Sequence, residues 1–304
     1  MMQIKKIFSL LILLISSESI IASGDIINVT FLGTGTPRPN IEKLGPSVLV
    51  NYKNDKFLLD VGRATNVRLH QINTNYSDIK NIFISHFHFD HIIGLPDLLL
   101  TSRLWQNDNK INIYGPKGIK KHCKGIIALY IDDQTYREKL GKILSENMEC
   151  SLNRKLSLDS KINIEPFLVN HGHIEESYGY KISINNKKIV YSGDTSYSEK
   201  LVEMSKGADL LIHEIAHASD LLQKKNPRLK KIMDSHTTIS ELVNILNKTR
   251  PKLTVLTHAL IFFETEENIL NRIKEDYDGE VIFAKDLMSI DVGKEIYIFN
   301  HISK

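Results

Sequence analysis

Five apolar runs in this 304-residue chain each lead straight into a histidine or an acid. Ile82-Phe83-Ile84-Ser85 runs into His86, and Phe167-Leu168-Val169-Asn170 into His171. Ile189-Val190-Tyr191-Ser192-Gly193 runs into Asp194, Leu210-Leu211-Ile212 into His213-Glu214, and Leu253-Thr254-Val255-Leu256-Thr257 into His258. Each run is short, apolar and rich in β-branched or aromatic residues, as a buried strand is. Strand ends held by a rigid sheet are where open α/β folds gather their ligand groups. One histidine after a strand is usually a packed or solvated side chain. Five such termini in succession point to a common site.

The remaining pattern fits that placement. Strand-like stretches at Ile27 to Leu32, Ser47 to Tyr52 and Phe57 to Asp60 come first. A helix from Arg63 to Ile72, a helix from Ile92 to Trp105 and a helical middle from Lys117 to Met148 follow. Strands return at Ile162 to Val169, Tyr178 to Ile184 and Lys188 to Tyr191, the last two joined at Asn185-Asn186, a pair suited to a tight turn. Helices are expected from Glu199 to Lys206 and from about Ala216 and Thr238. Strands clustered early and alternating with helices later favour sheets covered by helices, in one domain.

The densest chemistry is His86-Phe87-His88-Phe89-Asp90-His91. Three imidazoles and a carboxylate within six positions favour a transition metal such as zinc, iron or manganese. Alternation along a tight loop would send His86 and His88 one way and Asp90 and His91 another, which suits two adjacent cations. Phe87 and Phe89 are read as interleaved packing residues.

His-x-His-x-Asp-His after a buried strand resembles the signature of the metallo-β-lactamase-fold hydrolases. Phe31-Leu32-Gly33-Thr34-Gly35-Thr36-Pro37-Arg38-Pro39 resembles the glycine loop that opens the ribonuclease Z-like and arylsulfatase-like branch. His171-Gly172 followed by Ser177-Tyr178-Gly179-Tyr180, then Tyr191-Ser192-Gly193-Asp194-Thr195 and Leu256-Thr257-His258, resemble its later motifs. Leu211-Ile212-His213-Glu214 and His236-Thr237-Thr238 resemble two further motifs of that branch. The resemblance implies an α/β fold, an αββα sandwich of two mixed β-sheets flanked by helices, over residues 25–304. It implies one divalent metal ion held by His86, His88 and His171, a second held by Asp90, His91 and His258, and Asp194 bridging them. Zinc is the first expectation for both, with manganese or iron as alternatives. His236 would protonate the leaving group, Glu214 would orient it, and Asp90 is counted with the catalytic groups as well as the ligands. Two cations roughly 3.5–4 Å apart activate a water and clamp the attacking and leaving oxygens of an in-line displacement.

The transfer-RNA-processing members carry a long RNA-gripping arm between the Ser-Tyr-Gly-Tyr and Ser-Gly-Asp strands. Here only Ile184-Asn185-Asn186-Lys187 joins them, so the expected substrate is a small anionic phosphodiester or sulfate ester. The alternatives are a true transfer RNA 3′-processing endoribonuclease, a lactone hydrolase and a non-catalytic nucleic-acid-binding member. A net charge of +3 identifies no ligand. The other partner expectations are a homodimer and no membrane span.

Residues 1–24 read as a signal peptide. Lys5 and Lys6 precede the apolar run Ile7 to Ile15, and Ala22, Ser23 and Gly24 supply small residues for cleavage. The run is shorter than the ~20 residues of a spanning helix. A periplasmic or secreted protein is therefore expected, its charge falling to +2 once Lys5, Lys6 and Glu18 are removed. Export would allow Cys123 and Cys150 to pair, and two reduced buried thiols are the equal alternative.

Overall fold

The computed structural model describes residues 26–105, 109–139, 148–158 and 161–300. Residues 1–24, read above as a signal peptide, lie outside them. Among the described residues, fifteen strands form two sheets. In chain order they are β1 Ile27–Gly33, β2 Ser47–Tyr52, β3 Asp55–Leu59, β4 Ile79–Phe83, β5 Ile111–Gly115 and β6 Met148–Leu152. Next come β7 Leu156–Leu158, β8 Ile162–His171, β9 Ile174–Ile184, β10 Lys187–Tyr191 and β11 Leu210–His217. The last are β12 Leu253–Ile261, β13 Val281–Phe283, β14 Met288–Val292 and β15 Ile296–Asn300. One sheet has the order β15-β14-β1-β2-β3-β4-β5-β6, the other β13-β12-β11-β10-β9-β8-β7.

Each sheet is antiparallel over one half and parallel over the other, the parallel pairs being β3 to β6 and β10 to β13. Among the parallel strands, β11 and β12 are buried on both faces through Ala216 and His258, as strands covered on both sides are. Between the sheets lies a core that includes Val29, Phe57, Phe83, Tyr180, Ile212 and Val255. Outside the first sheet, Leu69, Leu98, Ile119 and Cys123 bring the helices Thr65–Gln71, Leu95–Leu104 and Ile119–Leu129 against Leu58, Ile82 and Ile113. Outside the second, Leu201, Leu242, Ile245 and Ile269 bring Glu199–Ser205, Ile239–Thr249 and Glu266–Asp276 against Val190, Leu211 and Leu256. This is the αββα sandwich that the motifs imply. The Asn185 turn joins β9 to β10 with nothing inserted, and Asn185 takes a positive φ of 53°.

Several boundaries differ from the sequence reading. The expected helix Ile92 to Trp105 is two helices, Phe89–Ile92 and Leu95–Leu104, parted at Gly94. A β-carbon on Gly94 would lie 2.1 Å from the Gly62 carbonyl oxygen, so the chain passes too close to the end of β3 for any side chain. The helical middle begins later, at Ile119, and Met148 opens β6, which pairs with β5. Cys123 and Cys150 form a disulfide that ties the helix Ile119–Leu129 to β6. Among the described residues no helix is long and apolar enough to cross a membrane.

Candidate metal centre

The parallel strands β4 and β10 and the antiparallel strand β8 bring their carboxyl ends to the donor cluster. His86 follows β4, His171 ends β8, and Asp194 follows β10. Gly193, at a φ of 59°, lets the chain turn there, since a β-carbon would sit 2.5 Å from the Tyr178 carbonyl oxygen. His213-Glu214 and His258 differ from the expectation, because β11 runs on to His217 and β12 to Ile261. Between β11 and β12 the register slips by one residue. Glu214 faces Thr257 and Ile215 faces Ala259, so His258 is the extra residue, and its φ is 45°. A bulge re-aims the side chain it carries, and a left-handed non-glycine residue persists only where its surroundings hold it. Here the bulged residue carries its imidazole beside Asp90 and Asp194.

The ligating atoms of His86, His88, His171 and Asp194 lie within 4.8 Å of one another, and so do those of Asp90, His91 and His258. One oxygen, Oδ2 of Asp194, stands between the two groups. It is 3.3 Å from His91 Nε2, 3.5 Å from His258 Nε2, 3.8 Å from His86 Nε2 and 3.9 Å from His171 Nε2. Asp90 Oδ2 lies 3.2 Å from His258 Nε2 and 3.6 Å from His91 Nε2. All seven residues named from the sequence as ligands therefore converge, His88 being the exposed one.

Hydrogen bonds behind the imidazoles fix their tautomers. Asp60 is fully buried, and its Oδ2 accepts from Ser85 Oγ at 2.8 Å, His91 Nδ1 at 2.8 Å and Tyr191 OH at 2.7 Å. With its proton given to Asp60, Ser85 Oγ accepts from His86 Nδ1 at 3.0 Å. His171 Nδ1 donates to the Ser235 carbonyl at 2.9 Å. The Nε2 lone pairs of His86, His91 and His171 consequently all face inward, as back-side bonding does for metal-ligating histidines.

A cation fits these lone pairs. His86 Nε2 and His171 Nε2 both press on His88 Nδ1, at 2.9 and 3.1 Å, and one ring nitrogen cannot carry hydrogens for both. His91 Nε2 is buried with no hydrogen-bond partner. Burial holds His86 well below the usual histidine range, with His91 adding to the effect, so His86 is neutral and able to ligate. Burial pushes the Asp194 carboxyl up, yet His258 and His91 outweigh it and hold the group well below the usual carboxylate range.

His236 and Glu214, expected to act together, are hydrogen-bonded partners. His236 Nδ1 donates to Glu214 Oε1 at 3.0 Å, and the same oxygen accepts from the Thr195 and Thr237 N–H groups, each at 3.1 Å. Burial lowers the His236 pKa, but the Glu214 carboxylate more than offsets it and raises it to about 9. Thr238 caps the helix Ile239–Thr249 in a reciprocal box with Glu241, which fixes His236 just ahead of that helix. His213 donates to the Glu214 carbonyl at 2.6 Å and is fully buried. His122 stacks on Phe87 at 3.9 Å. Phe89 is a correction, being 52% exposed and lining a cavity rather than packing a core. Asp60 is the residue the sequence reading passed over, although it follows an apolar strand as His86 does.

That cavity, about 560 Å³, opens over Asp90, Asp194, His236 and His258. Phe89, Leu260, Phe262 and Phe263 give it apolar walls, and Arg38 and Arg228 give it two cations. The Arg38 guanidinium lies 5.3 Å from the centre of the Phe262 ring.

The same architecture recurs in known proteins. The metallo-β-lactamase-fold protein YhfI of Bacillus subtilis superposes with a TM-score of 0.70 at 20% identity, over 88% of this chain and all of that one. The short form of human tRNase Z superposes with a TM-score of 0.64 at 26% identity, over 86% of this chain and 98% of that one. Ribonuclease Z of Thermococcus onnurineus is 28% identical, over 86% of this chain and 93% of its own length. Ribonuclease Z of Mycobacterium bovis is 26% identical, over 88% and 98%. The family described as anti-Pycsar protein Apyc1 matches residues 27–261, and with the fold and these motifs in agreement the chain belongs to that family, within the ribonuclease Z-like metallo-β-lactamase fold.

Proposed function

We propose that this protein hydrolyses small phosphodiesters with two divalent cations, zinc in the first instance. His86, His88 and His171 would hold one cation, Asp90, His91 and His258 the other, and Asp194 both. When bound, the pair would supply a nucleophile at neutral pH and charge neutralisation at phosphorus. The chain supplies the rest. Asp60 and Ser85 hold His86 and His91 with their lone pairs inward, and Glu214 holds His236 charged beside the cavity, where its proton can pass to a departing alkoxide.

The observation that carries this reading is the cavity over the donor groups. Its aromatic wall and paired arginines suit a ligand with one flat face and one anionic centre, and its size suits a mononucleotide rather than a polymer. A cyclic nucleotide has that shape and contains a phosphodiester. Turnover should therefore be compared for a cyclic nucleotide, bis-nitrophenyl phosphate, a nitrophenyl sulfate and a precursor transfer RNA under one metal condition. The two phosphodiesters are expected to lead by at least about 100-fold in kcat/KM, since a large RNA needs remote contacts that the short β9–β10 turn does not offer. Position-specific cleavage of the RNA at a comparable rate would instead support the processing reading, which the named ribonuclease Z relatives favour. A lead for the sulfate would keep the site and change the substrate class.

Export is part of the same proposal. The Cys123–Cys150 disulfide supports it, because such bonds persist in oxidising compartments. Protein recovered from the envelope or medium of the producing cell is expected to begin near residues 23–25. An intact Met1 on protein confined to the cytosol would refute export.

A further inference from the structure

Asp286, in the turn between β13 and β14, takes no part in the reaction proposed above, yet it is almost fully enclosed and bound on every side. Its Oδ1 accepts from Thr34 N–H at 2.9 Å and Thr34 Oγ1 at 2.7 Å. Its Oδ2 accepts from Leu44 N–H at 2.8 Å and from the Arg68 guanidinium at 2.9 Å. Those donors come from three places: the end of β1, the loop leading to β2, and the helix Thr65–Gln71. Gly35 N–H, donating to the Leu44 carbonyl at 2.7 Å, draws the same two loop segments together.

What this clamp holds is a carbonyl. With its N–H and hydroxyl both fixed by Asp286, Thr34 points its own carbonyl at the His258 N–H, 3.0 Å away. His258 is the bulged residue at a φ of 45°, a conformation that side-chain-bearing residues adopt only under external constraint. Released to an ordinary extended conformation, His258 would return to the alternation of β12 and carry its imidazole away from Asp90 and Asp194.

We propose that Asp286 is a positioning residue for the second cation group, acting through the Thr34 carbonyl on the main chain of His258. The inference rests on the two-cation reading and extends it to a residue outside both ligand sets. Disturbing Asp286 should weaken the group formed by Asp90, His91 and His258 while sparing the group formed by His86, His88 and His171.

The test is a calorimetric titration of the metal-free full-length chain with Zn²⁺ alone, followed by metal analysis of the saturated protein. The parent is expected to show two binding events. Asp286→Ala should weaken one of them by about 10- to 100-fold, the range found when a residue supporting a ligand is lost, and leave the other within about threefold. His258→Ala should weaken the same event, and adding Asp286→Ala to it should cost little more, because both changes act on one element. Asp286→Asn keeps an acceptor for Thr34 but turns an amide toward Leu44 N–H and Arg68, so a smaller loss of the same event is expected. It supplies the comparison if the alanine variant does not fold. Both events unchanged in a folded variant, both weakened alike, or a full further loss on top of His258→Ala would each overturn the inference. A parent that takes up fewer than two cations would overturn the site reading itself, and this inference with it.

Discussion

Asp194→Ala is expected to lower kcat/KM for a phosphodiester by at least about 1,000-fold and to leave the protein with fewer than two tightly held cations. The carboxylate is buried, and its Oδ2 lies within 4 Å of four imidazole nitrogens drawn from both donor groups. Truncation removes the negative charge between two positions that would each hold a double positive charge. It also empties the space between four imidazole nitrogens, so metal uptake and fold integrity must be measured beside activity. Asp194→Asn separates charge from shape, because an amide fills the same volume with one oxygen and no charge. Its activity should fall nearly as far as that of the alanine variant. Residual hydrolysis within threefold of the parent, at full metal occupancy, would refute the central place given to Asp194.

The seven donors could be named from sequence because the motifs that carry them resemble those of a known fold family, and because His86, His171, Asp194 and His258 each close an apolar run. An apolar run that stops at His86, His171 or Asp194 stops there because the sheet edge meets solvent and ligand at that point. The same rule, applied once more, would have found Asp60 after Phe57-Leu58-Leu59. It was hidden because a lone carboxylate at the end of a strand has no neighbouring motif, and its four donors come from residues 85, 91 and 191. The bulge at His258 could not be read at all. A register slip between β11 and β12 depends on two strands 40 residues apart, and no local preference in Leu256-Thr257-His258 announces it. Phe89 misled for a related reason. Alternation suggested a packing residue, whereas the short helix Phe89–Ile92 turns it out toward the cavity. Arg38 and Arg228 were likewise invisible together, since only the folded chain brings both, with 189 residues between them, to one cavity.

Replacing His236 should separate substrates by leaving group. Its Nδ1 is committed to Glu214 Oε1, and that oxygen is itself fixed by two main-chain donors, so the ring can turn only Nε2 toward the cavity it lines. With a pKa raised to about 9 by that carboxylate, His236 carries both ring protons at neutral pH and can give one up where an alkoxide forms. An alkoxide leaving group gains most from such a proton, and a nitrophenolate, already stable as an anion, gains little. His236→Ala is therefore expected to lower kcat/KM by about 100- to 10,000-fold for a cyclic nucleotide, the span general-acid catalysis usually contributes, and by less than about tenfold for bis-nitrophenyl phosphate. Glu214→Ala should reproduce the selectivity at smaller size, since the ring loses its orientation and its charge but remains present. Glu214→Gln, which keeps an acceptor for Nδ1–H, should recover part of the loss. The measurement is a plot of log kcat/KM against leaving-group pKa for the parent and each variant, with metal content checked alongside. A steeper slope for the variants is the expected result. Parallel lines, with equal losses on alkoxide and nitrophenolate substrates, would show that His236 supports the site's shape or its cations rather than the departing group.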